Sequence, residues 1–122
     1  MRPRILFVED HDDTRYMIRL LLGHRGYQVE TAESANEGLE LAQSEPFDLF
    51  LLDYQLEDGN GKELCEKIRR FDSDTPILFF SASHPKIQQD ALECGAQGFV
   101  LKPDVDALHG EIARALTVAS GV

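Results

Sequence analysis

Five short apolar runs, each followed by a longer amphipathic stretch, constrain this chain more than any other feature. Arg4-Ile5-Leu6-Phe7-Val8, Asp48-Leu49-Phe50-Leu51-Leu52 and Pro76-Ile77-Leu78-Phe79-Phe80 are nearly continuous apolar segments. A strand that is apolar on both sides needs cover on both faces, as in a parallel sheet flanked by helices. Tyr27-Gln28-Val29-Glu30-Thr31 alternates and Gly98-Phe99-Val100-Leu101 is short, so these two suit the edges. Met17, Leu20, Leu21 and Leu22 mark a first helix, with Asp12-Asp13 as its N-terminal cap and Gly26 as its stop. Ser34-Ala35-Asn36-Glu37 matches a capping box. Leu64 and Ile68 mark a third helix, and Ile87, Ala91 and Cys94 a fourth that ends at Gly95. Pro103-Asp104 opens a fifth, whose Val105, Leu108, Ile112, Leu116 and Ala119 form one apolar stripe.

Five such units predict an α/β fold with right-handed crossovers. Of the common doubly wound orders, five strands select the flavodoxin-like 2-1-3-4-5 sheet with five helices. At 122 residues this is one domain, spanning 1–122, with no linker or repeat. Only Ser120-Gly121-Val122 follows the fifth helix, so no output domain is expected.

Charge narrows the function classes. With 12 Lys+Arg against 22 Asp+Glu the net charge is −10, which disfavours a nucleic-acid surface and an anionic membrane. No apolar run approaches the roughly 20 residues of a membrane helix, and Ile5–Val8 is too short for a signal-peptide core. Cys65 and Cys94 form no metal-ligand pattern and read as reduced core thiols. A cytoplasmic location is the expectation.

The chosen topology brings the strand ends to one rim: Glu9-Asp10, Asp53, Ser81 and Lys102-Pro103. Carboxylates about 4 Å apart repel by about 1 kcal/mol per pair in water and about 4 kcal/mol at an effective dielectric of 20. Such a cluster suits a hard divalent cation with oxygen ligands, and the lysine and hydroxyl beside it suit a phosphoryl group.

In this order these residues resemble the receiver domain of two-component response regulators over essentially the whole chain. Glu9-Asp10 is similar to the family's acidic pair, Asp53 to its phosphoacceptor, Ser81-Ala82 to its hydroxyl residue and the small residue after it, and Lys102-Pro103 to its lysine and cis-proline. Gly59 falls where the family has a glycine after the acceptor loop, and Phe99 where it has a switch aromatic. Tyr54-Gln55-Leu56-Glu57 departs from the usual x-x-Met-Pro after the acceptor.

The resemblance implies that Asp10, Asp53 and the Gln55 backbone carbonyl bind Mg²⁺, with Mn²⁺ able to replace it, and that Glu9 acts through water. It also implies that Asp53 attacks a phosphohistidine on a sensor histidine kinase or histidine phosphotransfer protein. Lys102, the Ser81 hydroxyl and the Ala82 amide then hold phosphoryl oxygens. Ser81 and Phe99 would switch a face of the fourth helix, fifth strand and fifth helix toward a downstream protein partner. No turnover of small molecules is expected, and no direct contact with nucleic acid or membrane.

Plainer readings stand beside these. Asp12 and Asp13 are ordinary helix-start acids, His11 and His84 solvated loop histidines, and Phe99 equally a packing residue. Gly59 and Gly61 supply turn conformations. Tyr54 is either a gate over the site or a partner contact. The alternative function is a pseudo-receiver that binds proteins without phosphorylation. Flavin binding fails on the acidic loop after the first strand, and a haloacid-dehalogenase-type phosphatase lacks its second aspartate, where Gln55 stands.

Overall fold

The computed structural model describes residues 2–82 and 84–119. The elements run β1 (Arg4–Val8), α1 (Asp12–His24), β2 (Gln28–Ala32), α2 (Ala35–Ser44), β3 (Leu49–Leu52), β4 (Gln55–Leu56), β5 (Gly59–Asn60), α3 (Gly61–Arg69), β6 (Ile77–Ser81), α4 (Ile87–Cys94), β7 (Gly98–Leu101) and α5 (Val105–Ala119). Five strands form one parallel sheet in the order β2-β1-β3-β6-β7. That is the expected flavodoxin-like order, with β6 and β7 as the sheet's fourth and fifth strands. Ser120-Gly121-Val122, expected to trail the fifth helix, lie outside the described residues.

The continuous apolar runs are explained by two cores, one on each face. Leu6, Val8, Phe50, Leu52, Ile77 and Phe79 point to the side of α2, α3 and α4. Their neighbours Ile5, Phe7, Leu49, Leu51, Leu78 and Phe80 point to the side of α1 and α5. Period-2 alternation therefore persists, but both faces are covered. Burying a side chain of this size contributes roughly 1.5–3 kcal/mol, so the three central strands anchor the domain.

Several local expectations need correction. His11, not Asp12-Asp13, caps α1: its Nδ1 accepts from the Thr14 amide at 3.3 Å. In α1 only Ile18 and Leu22 are buried, while Met17, Leu20 and Leu21 are 45, 50 and 37 % exposed. In α5 the buried positions are Leu108, Ile112 and Ala115, with Val105 and Leu116 partly buried and Ala119 exposed. Ser34 does cap α2, accepting from the Glu37 amide at 3.1 Å, but Glu37 reaches back to the Glu33 amide instead of closing the box on Ser34.

The β4–β5 ribbon was not anticipated. It is an antiparallel pair joined through Glu57-Asp58, with Gly59 at a φ of 155° just after the turn. Asp58 uses both oxygens to cap α2, accepting from the Ala35 amide at 2.8 Å and the Asn36 amide at 3.0 Å. Those amides favour its charged form and hold its carboxyl below the usual range.

Candidate functional site

Glu9, Asp53 and Lys102 sit where strands run out, yet still continue the backbone ladder. The Glu9 amide donates to Ala32 O at 3.0 Å, the Asp53 amide to Val8 O at 2.9 Å, and the Lys102 amide to Ser81 O at 2.9 Å. Side chains from β1, β3, β6 and β7 thus converge on one rim of the sheet. The Lys102–Pro103 bond is cis.

Carboxylate oxygens of Glu9, Asp10 and Asp53 all lie within 4.8 Å of one another. Glu9 is fully buried and Asp53 is 6 % exposed. Lys102 Nζ bridges them, 2.5 Å from Glu9 Oε1 and 3.3 Å from Asp53 Oδ2. Burial is the main reason that the Glu9 carboxyl is pushed up to about 7; Lys102 opposes the rise and Asp53 adds to it. One ammonium therefore stands against three acids, two of them buried. The donor set fits a hard cation, since hard oxygens converge and the local charge is not balanced by protein alone.

Asp10 is half-buried, and its Oδ2 accepts from the Glu57 amide at 3.0 Å, which ties the acid loop to the ribbon. The Gln55 amide donates to Asp53 Oδ1 at 3.3 Å. Ser81 is 2 % exposed at the end of β6, and Ala82 beside it is exposed. Phe99 is half-buried and packs on the core under α3 and α4.

Gly61 explains how the end of β3 at Asp53 can lie so close to α3. A Cβ there would stand 2.6 Å from Asp53 O, 2.9 Å from the Phe79 ring and 3.0 Å from Tyr54 Cα. Its φ is not positive, so close approach, not the expected turn conformation, requires the glycine.

Tyr54 and His84 differ from their sequence reading. Tyr54 is not an exposed partner contact: it is 6 % exposed and its hydroxyl donates to Asp90 Oδ2 in α4. Burial and that carboxylate push its phenol up to about 12, so it stays a neutral donor. His84 is not simply solvated, because its ring lies 4.7 Å from the Tyr54 ring. Arg15, which no motif marks in the sequence, donates to the Glu9 carbonyl at 2.9 Å and so braces the acidic loop.

Comparison with known proteins agrees with this geometry. The response regulator receiver domain model matches residues 5–113. Response regulator ArlR of Staphylococcus epidermidis is 36 % identical over 114 residues, covering 92 % of this chain and 52 % of that protein. ArlR of Staphylococcus aureus is 36 % identical over 115 residues, 93 % of this chain and again 52 % of the relative. The chain thus spans about half the length of these curated relatives. A CheY-like receiver domain protein from Methanospirillum hungatei superposes with a TM-score of 0.94 at 28 % identity, over 99 % of this chain and 98 % of that one. Response regulator TrrA from Thermotoga maritima, solved in complex with Mg²⁺–BeF, gives a TM-score of 0.87 at 27 % identity, over 94 % and 99 % of the two chains. The order of the strands, the acids on their ends and the match over residues 5–113 lead to one conclusion: this chain belongs to the response regulator receiver domain family.

Proposed function

We propose that this domain is a phosphoacceptor, with Asp53 taking a phosphoryl group from a phosphohistidine on a sensor histidine kinase or histidine phosphotransfer protein. The observation that carries the reading is the pairing of Asp53 with Lys102 at 3.3 Å inside a cluster of three carboxylates. An oxygen of Asp53 attacks phosphorus, the histidine N–P bond breaks, and the carboxylate becomes an acyl phosphate. Lys102 turns from the acids to a phosphoryl oxygen, while the Ser81 hydroxyl and Ala82 amide donate to another. Positioning and counter-charge supply the rate, since the protein contributes only the nucleophile. Bound Mg²⁺ would be held by Asp10, Asp53 and the Gln55 carbonyl, with Glu9 through water, and would neutralise the phosphoryl oxygens. The Mg²⁺–BeF complex of the Thermotoga relative supports that assignment.

The phosphoryl group then biases Ser81 and Phe99, and with them the face formed by α4, β7 and α5. Leu92 and Leu101, 75 and 42 % exposed, offer apolar contact there to a protein partner. Incubation with Mg²⁺ and acetyl phosphate, read by intact mass, tests the proposal. One phosphoryl addition is expected, absent in Asp53→Asn; an addition that survives Asp53→Asn would overturn it.

A further inference from the structure

Tyr54 is fastened in two directions. Its carbonyl accepts from the Gly61 amide at 2.7 Å, which ties it to the start of α3. Its hydroxyl donates to Asp90 in α4, and the other Asp90 oxygen lies 3.6 Å from Lys62 Nζ of α3. Lys62 also reaches Glu93 at 3.4 Å. Asp90 is only 9 % exposed and shares its helix face with buried Ile87, Ala91 and Cys94. A buried carboxylate in an apolar face is a weak source of stability, since a well-packed apolar pair is often as stable. What it does provide is a single seating for the helix. The carboxyl end of α4 is tied to α3 by Cys65 Sγ on Cys94 O at 3.2 Å and Arg69 on Gly95 O at 3.1 Å, but its amino end has no side-chain cap at Lys86, so there the Tyr54 bond sets the seat.

We propose that the Tyr54–Asp90 hydrogen bond is a latch that holds α4 in its resting seat, and that Tyr54 is a positioning residue through which Asp53 governs that helix. The proposal rests on phosphorylation of Asp53 as argued above, and it adds a path separate from Ser81 and Phe99. His84, in the connection between β6 and α4, lies against the Tyr54 ring. Drawing Ser81 and Ala82 toward a phosphoryl group moves His84 across that ring and lifts Asp90 away from the hydroxyl. The latched state is then favoured before transfer and the released state after it. Loss of one hydrogen bond to a charged acceptor shifts such an equilibrium roughly tenfold or more.

Tyr54→Phe keeps the ring and removes only the donor, while Asp90→Asn keeps an acceptor without its charge. Amide exchange is measured over residues 84–95 with and without Mg²⁺–beryllofluoride, alongside the rate of Asp53 labelling by acetyl phosphate. For Tyr54→Phe without beryllofluoride, exchange in this segment should rise roughly tenfold, β1 and β3 amides should stay protected, and labelling should quicken. Asp90→Asn should fall between Tyr54→Phe and the wild type. Beryllofluoride should change the segment less in Tyr54→Phe than in the wild type. Wild-type exchange and labelling in Tyr54→Phe would overturn the latch, as would loosening spread evenly over the sheet, the mark of a purely structural role. A wild-type protein that responds to neither reagent would overturn the phosphoacceptor reading and the latch with it.

Discussion

The two ends of the sheet are both rich in ions, but they settle their charges differently. At the amino end Arg4 meets Glu45 at 2.9 Å, donates to Pro46 O at 2.7 Å and lies 4.7 Å over the Phe47 ring. Arg69 similarly spreads its guanidinium over the carbonyls of Asp72, Thr75 and Gly95. Both of these guanidiniums are matched by protein groups. At the carboxyl end Lys102 is, among the described residues, the one cation paired with the cluster of Glu9, Asp10 and Asp53, through Glu9 and Asp53. The amino end closes on itself, and the carboxyl end leaves charge for something from outside to answer. Ions near a sheet edge are thus no sign of function; their imbalance is.

The largest test of this contrast is the pH dependence of stability in the absence of divalent cations. Burial raises the Glu9 carboxyl from 4.5 to about 7, so the native state holds a proton that the unfolded chain has released. The unfolded state binds fewer protons in that window, so stability falls as pH rises from about 4.5 through about 7. The loss is on the order of 3 kcal/mol across the window. Glu9→Gln should flatten the slope in denaturant titrations, and Mg²⁺ should offset the loss in the wild type. A wild-type slope that Glu9→Gln leaves intact would place the charge imbalance elsewhere.

A smaller effect separates the acids from one another. Asp10→Asn should weaken Mg²⁺ binding about tenfold by calorimetry, roughly 1.4 kcal/mol. Asp12→Asn should leave it nearly unchanged, because Asp12 pairs with Arg15 at the surface. Equal losses would reject the assigned cluster. Smallest of all is Arg4→Ala, which removes a largely solvent-side pair and a ring contact and should cost about 1 kcal/mol. It should not alter Mg²⁺ affinity or Asp53 labelling; a change in either would join the two ends that the structure keeps apart.

Most of the fold was legible because a parallel strand buried on both faces leaves an unbroken apolar run, as at Leu49–Leu52. The site was legible for a related reason: the first polar residue after such a run is the one on the rim. Direction within α1 was not. Leu20, Leu21 and Leu22 point about 100° apart around a helix, and only Leu22, in phase with Ile18, meets the sheet. Nor was the partner of Tyr54, because Asp90 lies 36 residues away and a single sequence carries no trace of that contact. The β4–β5 ribbon escaped as well; two residues per strand are too few for a period to show.

The ladder bonds at Glu9, Asp53 and Lys102 make the backbone a ruler for the chemistry. Neighbouring strands sit about 4.8 Å apart, and residues that continue the ladder inherit that spacing whatever their side chains. The distance between an acid on β1 and an acid on β3 is therefore a property of peptide geometry rather than of any loop. Substitution on this rim can change which groups are presented, but hardly the grid on which they stand. A domain built this way can vary its helices and loops while the dimensions of its acidic corner stay constant.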